Sequence, residues 1–136
     1  MKNILYAYTD GGSRGNPGNA AIGVLILGRD EKILKKHKEF IGHATNNQAE
    51  YRALIKALEF VSKLTNQEVV CTSDSEVMVR QLNGEYRVKD KKLMDLFAMV
   101  KKSEAKFEKV FYRHVTRDNN FIQIVDGMVN EELDGD

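Results

Sequence analysis

The chain has 136 residues, of which 42% are hydrophobic and 30% charged, and its net charge is +1. That length suits one compact domain with a real core, and the balance excludes both a disordered chain and, on average, a strongly basic nucleic-acid binder. A lone cysteine, Cys71 in an apolar run, excludes an internal disulfide.

In chain order, residues 4–9 predict a strand of aliphatic and aromatic residues ended by Asp10, and Gly11 to Gly18 reads as a turn. Residues 20–28 and 33–41 predict two more strands, making an antiparallel meander. Asn46 and Asn47 cap a helix whose Ala49, Ala53, Leu54, Ala57, Leu58 and Val61 recur at helical spacing. A buried strand over 69–73 ends at Asp74, and a short helix follows and stops near Asn83-Gly84. Leu93, Leu96, Phe97 and Val100 mark a longer helix, residues 110–115 a fifth strand, and Val125, Met128, Val129 and Leu133 a last helix. Met78, Met94, Met99 and Met128 fall on helical faces and read as core filler.

This order predicts an α/β domain spanning 1–136: a mixed five-stranded sheet, antiparallel meander plus parallel strands, flanked by helices. No secretory signal or membrane-length apolar run is visible, so the expectation is a cytoplasmic, monomeric protein with no membrane partner. Lys32, Lys35, Lys36 and Lys38 read as a solvated face. Arg87, Lys89, Lys91 and Lys92 read as contacts to a nucleic-acid backbone.

Asp10 and Asp74 each follow a strand, and Glu50 and Asp126 lie near helix starts. Singly, such acids cap turns or favour helix dipoles. Together, in a small sheet, they converge where active groups gather, and like charges so close are tolerable when cations hold them. Hard oxygen donors select Mg²⁺ or Mn²⁺, and no zinc-type His/Cys set exists. Two such cations roughly 3.5–4 Å apart activate a water and stabilise a leaving oxygen. The residues thus point to metal-dependent phosphoryl chemistry.

The segments Tyr8-Thr9-Asp10-Gly11-Gly12-Ser13-Arg14-Gly15-Asn16-Pro17-Gly18, Thr45-Asn46-Asn47-Gln48-Ala49-Glu50-Tyr51, Thr72-Ser73-Asp74-Ser75 and His114-Val115-Thr116-Arg117, with Asp126 and Asn130, resemble the ordered motifs of type 1 ribonucleases H. The resemblance spans nearly the whole chain. It implies an RNase H-like fold and an endonuclease that hydrolyses the RNA strand of RNA–DNA hybrids, leaving 5′-phosphate and 3′-hydroxyl ends. It implies that Asp10, Glu50, Asp74 and Asp126 bind two Mg²⁺ or Mn²⁺ ions, with Glu50 and Asp74 also orienting the scissile phosphate and attacking water. By the same resemblance, Gly11, Gly12, Ser13, Arg14, Asn16, Asn46, Asn47, Gln48 and Ser75 bind the hybrid, reading sugar and phosphate rather than base sequence.

The chain departs from the family pattern in three places. The stretch from Asn119 to Asp126 is about two residues longer than usual, and Asn120 to Ile124 is apolar, as an extra helical turn or a loop. Glu131 or Asp134 is a rival source of the fourth charge, and a disturbed Asp126 would leave a catalytically impaired binding module on the same fold. The resemblance also offers either His114 or Arg117 as the group that assists proton transfer or product release. Last, the chain contains no tryptophan, so a tryptophan-rich basic protrusion found in some relatives is absent. Other nucleases share such folds, but the glycine-rich loop and Asn46-Asn47-Gln48 favour the hybrid as partner.

Overall fold

The structure, a computed structural model, describes residues 3–135. Its elements run β1 (Ile4–Arg14), β2 (Gly18–Leu27), β3 (Ile33–Ala44), α1 (Asn46–Ser62), β4 (Glu68–Ser73), α2 (Glu76–Leu82), α3 (Lys91–Ser103), β5 (Lys109–His114) and α4 (Asn120–Leu133), with a 3₁₀ turn at Glu104–Lys106 before β5. The strands form one sheet in the order β3-β2-β1-β4-β5. β2 runs antiparallel to both of its neighbours, β1 and β3, whereas β4 runs parallel to β1 and β5 parallel to β4. This is the predicted mixed sheet.

Strand alternation separates two cores. Leu5, Ala7, Val24 and Ile26 face one side and pack with Tyr51, Leu54, Leu58 and Val61 of α1, joined by Leu82 of α2 and Val100 of α3. Tyr8, Leu25 and Leu27 face the other side and pack under Ile122, Val125 and Met128 of α4. The central strands are therefore covered on both faces, which is why they read as near-continuous apolar runs.

Several local expectations change. β1 does not stop at Asp10 but continues through the glycines to Arg14, paired with β2 as far as Asn19. The chain reverses only over Gly15 to Pro17, where Gly15 takes a φ of +93°. β2 and β3 are each shifted or extended from the predicted limits. α1 is capped by Thr45 rather than by Asn46 or Asn47: its hydroxyl accepts from the Gln48 N–H at 3.1 Å, and the Gln48 side chain accepts from the Thr45 N–H at 3.0 Å. This capping box satisfies two backbone donors at the helix start. Met78 and Met128 are buried, but Met94 and Met99 are each half exposed and fill no core.

The long apolar stretch before Asp126 is helical. Asn119 caps α4, its side chain accepting from the Phe121 and Ile122 N–H groups at 3.0 and 3.1 Å. Ile122 is fully buried, and Phe121 lies against Tyr8 with ring centroids 5.0 Å apart. The extra residues lengthen α4 at its start, so Asp126 sits well inside the helix rather than at its beginning.

Candidate active site and metal centre

β1 pairs with β4 only from Ile4 to Tyr8, yet its pairing with β2 continues to Arg14. Beyond Tyr8, the β4 side of β1 is open, and three acids meet there. Asp10 lies on β1 and is 7% exposed; Glu50 projects from α1 and is 5% exposed. Asp74 follows the last residue of β4, in a connection braced by Ser75, whose N–H donates to the Ser73 hydroxyl at 3.0 Å and whose hydroxyl accepts from the Met78 N–H at 3.3 Å. Ligand atoms of Asp10, Glu50 and Asp74 all lie within 4.8 Å of one another.

Gly11 is the hinge of this arrangement. Its N–H, with no β4 partner at that height, donates to Glu50 Oε1 at 3.0 Å. A Cβ on Gly11 would stand 2.3 Å from the Ala49 carbonyl carbon and 2.6 Å from the Glu50 nitrogen. Thus the absence of a side chain at this glycine admits the α1 backbone to close approach. Gly12 is open by comparison: a Cβ there would meet Val129 at 3.5 Å.

Asp126 reaches the cluster from α4, on the opposite face of the sheet from α1. The helix comes close because Gly23, the β2 partner of Asp10, has no side chain: a Cβ there would lie 2.7 Å from the Val125 carbonyl oxygen. The Asp126 carboxylate is not in the set of ligand atoms that lie within 4.8 Å of one another, but it stands near enough to help raise the Asp10 carboxyl. The Asn130 side-chain amide donates to the Asp126 carboxylate at 3.4 Å. Neither rival acid takes this place. Asp134 pairs with Arg14 at 2.8 Å, and Glu131 with Lys38 at 3.0 Å.

The electrostatics are those of acids confined together. Burial pushes the Asp10 carboxyl up to about 8, reinforced by the charges of Asp74 and Asp126 and opposed by the Gly11 backbone. Burial likewise raises Glu50 well above the carboxylate range, with Asp10 and Asp74 adding to it. Asp74 is raised by burial too, against the opposing charge of Arg117. Such a set holds protons, or a cation in their place. The donors are all carboxylate oxygens, suited to a hard divalent ion such as Mg²⁺ or Mn²⁺.

The acids line an open cleft of about 400 Å³, together with Gly12, Ser13, Arg14, Asn46, Asn47, Ser75 and Arg117. Asp74, Arg117 and Asp126 also line a second cleft of about 480 Å³ with Asp118 and Gln123, so these groups stand between two openings. Two predicted contact residues do not line either cleft. Asn16 accepts from the Asn46 N–H at 3.0 Å, bracing the β1–β2 turn against α1, and Gln48 serves the capping box. His114 is exposed in a separate groove between α2 and β5, with Arg80 and Asn83. Of the two candidates, Arg117 lines the carboxylate cleft and His114 does not, although both oppose the upward shift of Asp74, Arg117 more strongly. Gly23 had escaped notice in the sequence, although a glycine inside an apolar strand signals the close approach of another backbone.

The sheet order, with buried carboxylates beside the central parallel pair, defines the ribonuclease H class of fold. A family model described as "Reverse transcriptase-like" matches residues 8–130. The chain belongs to this reverse transcriptase-like family of ribonuclease H-fold domains. The crystal structure of RNase H1 from the halophilic archaeon Halobacterium salinarum superimposes with a TM-score of 0.92 at 35% identity, covering 98% of this chain and 99% of that one. LC11-RNase H1, solved in complex with an RNA/DNA hybrid, superimposes with a TM-score of 0.86 at 41% identity, covering 93% of this chain and 94% of that one. The "Bifunctional protein Rv2228c" of Mycobacterium tuberculosis is 37% identical over 135 residues, 98% of this chain but 36% of that protein. The chain therefore spans about a third of the length of that curated relative.

Proposed function

We propose that the chain is a ribonuclease H that hydrolyses the RNA strand of RNA–DNA hybrids, leaving 5′-phosphate and 3′-hydroxyl ends. The observation that carries this reading is the buried Asp10–Glu50–Asp74 cluster on the floor of an open cleft edged by side-chain amides. The hybrid bound to LC11-RNase H1 supports the choice of substrate.

In this reading Asp10, Glu50, Asp74 and Asp126 hold two Mg²⁺ or Mn²⁺ ions. When bound, these supply Lewis-acid activation of water and neutralise charge on the phosphate. The chain's own groups do the rest. Glu50, fixed by the Gly11 N–H, and Asp74, held at the end of β4, orient the scissile phosphate and the attacking water. Arg117 places a permanent positive charge beside Asp74 and offsets charge that develops on the phosphate. Gly12, Ser13, Asn46, Asn47 and Ser75 contact the hybrid, and the amides are suited to a 2′-hydroxyl that both donates and accepts. Arg87, Lys89, Lys91 and Lys92 add salt-sensitive contacts to the backbone.

One copy of the chain supplies every group named, so the reading includes a monomer. No helix among the described residues is long and apolar enough to cross a membrane. Cys71 is free and buried, in keeping with a reducing compartment, and a cytoplasmic site of action belongs to the same reading.

The test uses a labelled hybrid with Mg²⁺, Mn²⁺ or chelator, beside double-stranded DNA and double-stranded RNA. Cleavage of the hybrid's RNA is expected only with metal, and is lost in Asp74→Asn. A folded protein that binds the hybrid without cutting it under either metal overturns the proposal.

A further inference from the structure

The Arg14 guanidinium sits among the residues lining the cleft, where it suggests a phosphate contact. Its hydrogen-bonding groups point elsewhere. One terminal nitrogen pairs with Asp134 Oδ1 at 2.8 Å, and the other donates to Asn130 Oδ1 at 3.3 Å. Asn130 in turn donates from Nδ2 to Asp126 Oδ2 at 3.4 Å.

We propose that Arg14 is a positioning residue, which acts through Asn130 to orient the Asp126 carboxylate for metal. The inference rests on Asp126 being a ligand in the active site proposed above. It follows from what each group can do. A guanidinium only donates, so the Asn130 carbonyl oxygen must face Arg14. An ionised carboxylate only accepts, so the Asn130 NH₂ must face Asp126. The two neighbours thus fix the same orientation of the amide, which neither its helix nor its own rotamer would impose. Asp134 completes the arrangement: at the C-terminal cap of α4, one turn beyond Asn130, it holds the other arm of the fork, so the guanidinium plane is set by two partners. The side chains of Arg14 and Asp134 are 50% and 52% exposed, so the ion pair adds little to stability. Its effect is geometric.

The geometry matters because Asp126 differs from the other three acids. Asp10 and Glu50 are buried in the sheet–α1 contact and Asp74 is half-buried, whereas Asp126 is exposed on the outer helix. An exposed carboxylate turns freely unless a neighbour holds it, and the described hydrogen bond that α4 itself provides to it is the one from Asn130.

The test is calorimetric titration of Mn²⁺ into the protein without nucleic acid, for wild type, Arg14→Ala, Arg14→Lys, Asn130→Ala and the Arg14→Ala/Asn130→Ala pair. Melting curves establish that each variant is folded. Arg14→Ala and Asn130→Ala should each weaken Mn²⁺ binding about three- to tenfold, the worth of one hydrogen bond. The double variant should be no weaker than Asn130→Ala, since Arg14 acts through Asn130. Arg14→Lys should not rescue, because a point charge lacks the planar fork. In hybrid cleavage at fixed metal, kcat should fall while KM stays within about twofold. Unchanged Mn²⁺ affinity in Arg14→Ala overturns the proposal. So does additivity in the double variant, or a raised KM at constant kcat that Arg14→Lys restores, which marks a direct phosphate contact. If the wild type fails to cut hybrid, the proposed function falls, but the Mn²⁺ titrations still decide the role of Arg14.

Discussion

The Gly11 backbone N–H donates to the Glu50 carboxylate at 3.0 Å, across the point where β1 outruns β4. A motif glycine thereby sets an acid of the cluster in place while making room for the helix that carries it.

Gly11→Ala should therefore damage both stability and activity. Its Cβ would stand 2.3 Å from the Ala49 backbone, which cannot yield as a flexible side chain does. Overpacking of this kind costs about 1–3 kcal/mol, and displacement of Glu50 should lower kcat at least about tenfold. Gly12→Ala, with ordinary contact to Val129 at 3.5 Å, should be much milder in thermal melts. Equal effects at the two glycines would refute this division of labour.

Two glycines near Asp126 should respond in opposite senses. Gly23→Ala drives a Cβ to 2.7 Å from the Val125 carbonyl and should lift α4 from the sheet, lowering Tm and kcat together. Gly127 has nothing within 4 Å of an added Cβ and lies inside α4. Gly127→Ala should stabilise the protein by about 0.5–1 kcal/mol through helix propensity, with activity retained. Chemical denaturation and hybrid cleavage of both variants check the pair.

In chelator, stability should fall as pH rises. Asp10 is raised from 3.8 to about 8, and Glu50 and Asp74 are raised as well. The folded state then binds more protons than the unfolded state across that interval, so unfolding becomes easier with pH. The contribution is fully present below the unfolded carboxyl range and is lost on passing through about 8. Melting scans from pH 4 to 8 should show this decline, and Asp10→Asn should raise Tm at pH 8 in chelator by about 5 °C or more. Mg²⁺ should restore more stability at pH 8 than at pH 5, because it replaces the protons. A flat chelator profile would contradict the burial argument.

Arg117→Ala should lower kcat about tenfold or more, since Arg117 lines the carboxylate cleft and its charge opposes the upward shift of Asp74. His114→Ala should change kcat less than about threefold, because His114 lines the separate α2–β5 groove and bears on Asp74 less than Arg117 does. Steady-state kinetics of the two variants at saturating metal decide between them.

The sheet and its helices were legible because apolar periodicity survives wherever both faces of a strand are covered, as in β2 and β4. The acids were legible from their places at the ends of such runs. The course of β1 past Asp10 was not, because glycines signal turns as strongly as they signal close backbone approach, and only the packing of α1 tells the two apart. The Thr45 cap was hidden behind two asparagines that are equally good caps by composition. Met94 and Met99 carry helical periodicity, yet half their surface meets solvent because α3 lies at the margin of the core. The lengthened entry to Asp126 left two outcomes open in the sequence, and Ile122 and Phe121 resolve them by packing the added turn onto Leu25 and Tyr8.

Asp10, Glu50, Asp74 and Asp126 are contributed by a strand, a helix, a loop after a second strand and a helix on the far face. No contiguous fragment shorter than most of the chain contains all four. The site therefore exists only when the first strand and the last helix have both found the sheet. Nicking the chain between Asp74 and Asp126 and separating the pieces removes the chemistry from each, and recovery of cleavage on mixing them reports that the topology has closed again.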